Sequence, residues 1–271
     1  MTKISILGCG WLGLPLAKAL IAKGNSVNGS TTSQDKLSIL KDARINPFLV
    51  TVESESVSEN ITVFLAESEI LIIDIPPKLR TVDPSSEKKV FVEKIKNLIP
   101  FIEKSTIQKV LFVSSTSVYG DDNGLVTEKT IPNPNTESGK QLLLAEKLLQ
   151  KNQNFETTIL RFGGLIGEDR HPVKFLAGKE NIENPDAPVN LIHQNDCIGI
   201  IEAIINQSKW NEVFNAAAPF HPIREEYYTQ KAAQMNLPLP NFSSEKSNIK
   251  KAISSKKIEN SLNYQFKLEN Y

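Results

Sequence analysis

Apolar positions along the chain fall into short runs, each followed by an amphipathic stretch with helical spacing. Ile4, Ile6 and Leu7 read as a buried strand, and Trp11 to Lys23 as a helix with Leu14, Ala17, Leu20 and Ile21 on one face. Ser26 to Ser30 is a second strand. A helix over Gln34 to Lys41 follows, with Ser33 as its N-cap. Pro47 to Val52 is a third strand and Ile61 to Ala66 a helix. Glu69 to Pro77 is a fourth strand, stopped by the double proline Pro76-Pro77. Over residues 85–104, Val90, Ile95, Leu98, Ile99 and Ile102 repeat at helical spacing. Lys109 to Val113 is strand five. A loop rich in Asp, Asn, Pro and Thr spans 121–135, and a helix runs from about Thr136 to Gln150. Five strand–helix alternations in order predict an α/β fold with a parallel, doubly wound sheet.

Beyond Glu156 the rhythm changes. Thr157 to Arg161 continues as a strand, but residues 178–188 are polar, Pro-rich loop. Val189 to His193 is a strand leading into a helix from Gln194 to about Asn206, which Asp196 is placed to cap. Glu212 to Ala216 is a further strand and 223–235 a helix; Ser243 to Lys257 is loop, then a short helix. This divides the chain into a core over 1–166 and a smaller C-terminal lobe over 167–271, interleaved through a returning strand and helix near 189–216.

The first strand runs directly into Gly8-Cys-Gly10-Trp-Leu-Gly13. GxGxxG between a strand and a helix suits a dinucleotide whose pyrophosphate rests on the helix N-terminus, as in a Rossmann sheet. Gly8 permits the sharp turn, Gly10 leaves room for phosphate, and Gly13 lets helix and strand approach. Trp11 and Leu12, inside the turn, count with the glycines as cofactor-binding. An acid at the tip of strand two would favour NAD; here the tip offers Ser30, Thr31, Thr32 and Ser33, with Lys36 one turn on, which leans towards NADP over NAD. The end of strand four places Pro76 on the same crevice. Asp74, in that apolar run, either approaches the cofactor or lies at the strand mouth hydrogen-bonded to backbone. Strand five ends in Ser114-Ser115-Thr116-Ser117-Val118-Tyr119-Gly120. Such hydroxyls can bond a substrate carbonyl beside the nicotinamide or satisfy their own turn.

Composition narrows the partners. The 31 basic and 31 acidic residues cancel, and no basic stripe points to nucleic acid. Cys9 and Cys197 have no metal-like spacing, and no metal site is expected. Residues 4–22 are apolar enough to imitate a signal peptide, but Lys18 interrupts them and the glycine rhythm has a better use. No other run is long enough to span a membrane, so the expected setting is the cytoplasm.

These motifs together resemble the extended short-chain dehydrogenase/reductase superfamily, which includes the NAD(P)-dependent epimerases and dehydratases. SSTSVYG is similar to its strand-five ending, LRFGGLIG to its strand-six cofactor loop, and LIHQND to the segment returning from the substrate lobe. The opening GCGWLGLPLA and the Gly167-Glu-Asp-Arg-His-Pro172 stretch followed by Leu176-Ala-Gly178 resemble its YeeZ-like group, and the similarity runs from Lys3 to about Phe266. The resemblance implies that Ser114, Phe162 and Gly163 border the cofactor and that Ser115 and Thr116 hold the substrate oxygen. It implies a Tyr acid/base four residues before a Lys that holds the cofactor ribose and lowers the Tyr pKa. Lys140 is present, but the Tyr position is Thr136, whose aliphatic hydroxyl cannot titrate as a phenol near 10 can. The fingerprint also departs from the superfamily's usual TGxxGxxG.

Among substitutes, Tyr119 reads as packing, while Tyr227 and Tyr228 fall on a C-terminal helix. His171 is a candidate proton donor, unless its loop uses it to bond backbone. Arg170 before it is a candidate for a substrate anion. His193 reads as structural at a strand end and His221 as a turn residue. The resemblance further implies a small polar or sugar-nucleotide-like substrate lying between the sheet and the lobe, and a homodimer through the helices at 85–104 and 136–150. Two functions follow: an NADP-leaning oxidoreductase or epimerase-like enzyme, or a non-catalytic NAD(P)-binding, redox-sensing protein. A hydroxyacid- or imine-type dehydrogenase fits the glycines alone; SSTSVYG and Lys140 argue against it.

Overall fold

The computed structural model describes residues 1–77, 90–121 and 124–267. Its centre is a seven-stranded parallel sheet. β1 (Lys3–Leu7) lies between β2 (Ser26–Thr31), with β3 (Asn46–Leu49) outside it, and β4 (Ile70–Ile73). Beyond β4 come β5 (Lys109–Ser115), β7 (Glu156–Phe162) and, at the edge, β10 (Val213–Ala216). The chain moves outward from β1 to β3, then crosses back to β4. The strand order therefore reverses at β1, which opens a crevice at the carboxyl ends of β1 and β4.

The strands read as apolar runs because both faces are covered. Ile4, Ile6, Ile70, Ile72 and Leu111 face a cluster with α1 (Gly13–Ala22), α7 (Gln194–Asn206) and α9 (Lys256–Leu262). Leu71, Ile73, Val110 and Phe112 face α3 (Ile61–Leu65), α4 (Val90–Glu103) and α5 (Glu137–Lys151). Each such side chain, fully buried, is worth about 1.5–3 kcal/mol. A third, smaller cluster joins Ile166, Val173, Leu191, Phe242 and the two tyrosines of α8 (Arg224–Gln234). Among the described residues no helix is long and apolar enough to cross a membrane.

Several local expectations are corrected. Ser33 does not cap a helix. α2 (Lys36–Asp42) starts after Asp35 with no side-chain cap, and the Ser33 N–H instead donates to Thr31 Oγ1 at 3.1 Å. Asp196 does not cap α7, because its carboxylate turns inward to accept from Tyr264 Oη at 2.8 Å and the Lys267 N–H at 2.9 Å. His193 does the capping, its Nδ1 accepting from the Asn195 N–H at 3.1 Å. The third strand ends at Leu49 rather than Val52. The N-terminal part of the helix expected over 85–104 lies outside the described residues up to Val90. Four short elements went unread: α6 (Val173–Leu176), β6 (Leu125–Val126) and its partner β11 (Ala252–Ile253), and β8 (Gly164–Ile166), which pairs with β9 (Leu191–His193). β9 lies within the expected strand at 189–193. Two to four residues are too few to show a period.

Candidate functional site

The glycine turn is fixed from below. At Gly8 φ is +108°, and a Cβ there would lie 2.3 Å from the Asp74 carbonyl oxygen. At Gly13 a Cβ would lie 2.2 Å from the Gly8 carbonyl oxygen, so the start of α1 sits directly on the turn. At Gly10 a Cβ would meet nothing within 4 Å. The buried Ser30 braces the turn from β2: its hydroxyl accepts from the Gly8 N–H at 2.9 Å and its carbonyl from the Cys9 N–H at 2.8 Å. The N–H groups of Trp11 and Leu12 have no protein acceptor among the described residues.

The turn opens on a cleft of about 280 Å³. Leu7 to Gly10, Ser30 to Thr32, Asp74 to Pro76, Val50, Val52 and the charged Lys36, Glu53 and Lys94 line it. Thr31 is buried and engaged with Ser33, which leaves Thr32 and Lys36 as the exposed polar groups beside the tip of β2. Sequence reasoning missed Glu53 and Lys94, which pair across the cleft wall at 2.6 Å. Nothing in the local sequence marks them, since one lies in a loop and the other on the polar side of α4.

Of the two readings made of Asp74 the bond to backbone is met, its carboxylate accepting from the Gly13 N–H, and the residue also lines the cleft. Burial pushes its pKa up to about 7, and the Gly13 bond only partly offsets this. The sign follows from proton linkage. A carboxyl whose folded pKa is about 7 rather than 3.8 holds more protons when folded, so stability is highest below about 4 and falls as pH rises to about 7. Asp74→Asn keeps an acceptor for Gly13. We expect it to match the parent at pH 4 and to be more stable at pH 8, by a few kcal/mol at most, in urea unfolding. Equal stability at both pH values would disprove the raised carboxyl. Burial, then Asp74, pushes the neighbouring Cys9 thiol up to about 12, so it is no nucleophile at neutral pH.

The hydroxyl-rich end of β5 divides its work. Ser114 Oγ donates to Glu146 Oε1 at 2.6 Å and is buried. Glu146 also takes Arg161 on both oxygens, at 3.0 Å from Nε and 2.6 Å from Nη2. Arg161 Nη1 donates to Tyr119 Oη at 2.6 Å, and that hydroxyl donates to Asn215 Oδ1 at 2.9 Å. Ser115 Oγ accepts from the Ser117 N–H at 3.1 Å, which leaves its proton free to donate. Thr116 is buried in the same 3-10 turn, and Phe162 and Gly163 close the end of β7 against β10.

Thr136 and Lys140 lie one turn apart, both exposed, and neither lines the cleft. Thr136 Oγ1 accepts from the Gly139 N–H at 3.1 Å as the N-cap of α5. The inward face of α5 carries Gly139, Gln141, Leu142 and Ala145, whereas Lys140 is exposed beside Pro134, Glu137, Leu143 and Leu144. His171 is buried away from the cleft. Its Nδ1 accepts from the Val173 N–H at 3.1 Å, so the neutral ring donates from Nε2 to Tyr227 Oη at 3.0 Å. Burial, helped by Lys231 and Lys174, lowers its pKa to about 4, so the ring is neutral at pH 7. Arg170 is exposed, its guanidinium 4.9 Å from the centre of the Trp11 ring. Among the described residues no His, Cys, Asp and Glu side chains group to hold a metal ion.

A family model described as the NAD dependent epimerase/dehydratase family matches residues 4–184. Protein YeeZ of Escherichia coli (strain K12) is 35% identical over 268 residues, which is 98% of this chain and 96% of that protein. Two solved structures share the fold. A functionally unknown conserved protein from Silicibacter pomeroyi superposes with a TM-score of 0.80 at 22% identity, over 100% of this chain and 95% of its own. UDP-glucuronic acid 4-epimerase from Bacillus cereus, in complex with NAD, does so with a TM-score of 0.80 at 17% identity, over 98% and 92%.

Proposed function

The chain belongs to the NAD dependent epimerase/dehydratase family, and on that premise we propose that it binds NADP in preference to NAD and acts as an oxidoreductase or epimerase-like enzyme on a small polar, sugar-nucleotide-like substrate. The observation that carries this reading is the glycine turn at the start of α1, open at Gly10, on the cleft where the strand order reverses. The free N–H groups of Trp11 and Leu12 suit a phosphate, Val50 and Val52 give the adenine an apolar wall, and Thr32 and Lys36 suit a ribose 2′-phosphate. Pro76 borders the same cleft. The structural relative in complex with NAD supports a dinucleotide in this cleft and does not bear on NADP against NAD.

A bound nicotinamide would accept or return a hydride. Ser115 donates its free proton to the substrate oxygen and holds it in place, with Thr116 shaping the turn. Thr136 caps a helix and His171 is neutral and locked, so neither moves a proton; the substrate exchanges it with water. The exposed Lys140 favours a second reading, a dinucleotide-binding sensor without turnover. The cytoplasm remains the expected setting under both readings.

Calorimetric titration with NADPH and NADH tests the proposal. NADPH should bind at least about tenfold more tightly, and Lys36→Ala should remove that difference, since a charge-assisted hydrogen bond is worth about 1.5–3 kcal/mol. Equal binding of both would discard the NADP preference. No binding of either by the folded chain would discard the function. Reduction of bound NADP+ on adding UDP-sugars, whose ring alcohols can give up a hydride, would separate the enzyme from the sensor.

A further inference from the structure

We propose that Arg170, carried on the Gly167–Arg170 turn and backed by Trp11, is a clamp for a nucleotide diphosphate at the glycine turn. This rests on the dinucleotide-binding reading. Trp11 sits between Gly10 and Gly13 and is held by the segment after β8 and by the start of α7. Its indole N–H donates to Asp169 Oδ1 at 2.9 Å, and its carbonyl accepts from Gln194 Nε2 at 2.6 Å. Gly167 lies so close that a Cβ would be 2.8 Å from the indole Cζ2. The turn itself is closed by reciprocal backbone bonds between Gly167 and Arg170, at 2.8 and 3.2 Å. The segment is therefore a short fixed strap pinned to the glycine turn through one side chain.

On that strap the Arg170 guanidinium stacks over the indole, and its N–H groups have no protein acceptor among the described residues. A stacked guanidinium keeps its in-plane donors free for a planar or tetrahedral anion. The charge balance calls for such a cation. The Gly13 N–H at the head of α1 is already taken by Asp74, and Lys94 is paired with Glu53. Lys36 stands by the tip of β2. The placement on Trp11, next to the glycine turn, extends the anion-binding role that the sequence suggested for Arg170 to a diphosphate at that turn.

A diphosphate could come from the dinucleotide or from a sugar nucleotide, and the test separates them. The full chain and its Arg170→Gln and Arg170→Lys variants are titrated with NADPH, adenosine 2′-phosphate and UDP-glucose, and their melting temperatures are recorded. We expect Arg170→Gln to weaken NADPH about 10–100-fold, Arg170→Lys to restore part of it, and adenosine 2′-phosphate and the melting temperature to stay unchanged. Unchanged affinity for both NADPH and UDP-glucose, or an equal loss for adenosine 2′-phosphate, would overturn the clamp, whereas a loss confined to UDP-glucose would assign it to the sugar nucleotide's diphosphate. If the unmodified chain binds no dinucleotide, the underlying function fails first, and the clamp with it.

Discussion

Arg161→Met is expected to lower the stability of the folded chain by about 3–5 kcal/mol, because it strands a buried carboxylate without its cation. Arg161 and Glu146 are 6% and 1% exposed, and they are joined by two short bonds from the guanidinium fork. Burial disfavours the charge on Arg161, but the hydrogen bond and Coulomb attraction of Glu146 more than offset it, and the guanidinium is held above its ordinary pKa. The pair ties α5 to β7, Ser114 attaches β5 to it, and Tyr119 with Asn215 attaches β10. Glu146→Met alone should cost a similar amount, since it leaves the buried guanidinium unpaired. The double replacement Glu146→Met with Arg161→Met should cost much less than the two singles added, since an apolar pair leaves no charge unpaired. Guanidinium unfolding of the four proteins gives the coupling directly. Single variants within about 1 kcal/mol of the parent would show that the network carries no such weight.

That network also shows where reading from sequence stops. The alternation of apolar runs and helical stripes exposes five strands and their helices because each buries a face against the sheet, and burial imposes a period. The glycine turn is legible for the same kind of reason: a sharp turn, a close helix and open ground each demand glycine at a fixed spacing. The partner of Arg161 lies 15 residues away on another element, and Glu53 meets Lys94 across a cleft wall; no local pattern records either. Lys140 sits four residues after Thr136, but spacing alone does not say which side of α5 faces the strand ends, and the packing turns Lys140 outward. Asp196 shows the converse. A residue well suited to a cap is drawn inward by Tyr264 and Lys267, which approach only once the C-terminal segment has folded back.

The glycines of the turn should separate under substitution into those that hold the fold and the one that leaves room for the ligand. Gly10→Val adds its side chain to open space, at a position outside the left-handed region. It should fold with an unchanged melting temperature and still fill the ground above the Trp11 and Leu12 N–H groups. Losing phosphate bonds worth about 1.5–3 kcal/mol each weakens NADPH on the order of 100-fold. Gly13→Ala behaves differently. Its Cβ would press on the Gly8 backbone at 2.2 Å and approach Asp74 Oδ2 at 3.3 Å, so α1 must back away from β1. Overpacking of that kind costs about 1–3 kcal/mol, and the retreat of α1 moves the amides as well, so stability and affinity fall together. Thermal melts and NADPH titration on the same two variants distinguish the cases. A Gly10→Val protein that binds NADPH as the parent does would place the diphosphate elsewhere. A Gly13→Ala protein with parental stability would mean that the close seat of α1 on the turn is not what fixes it.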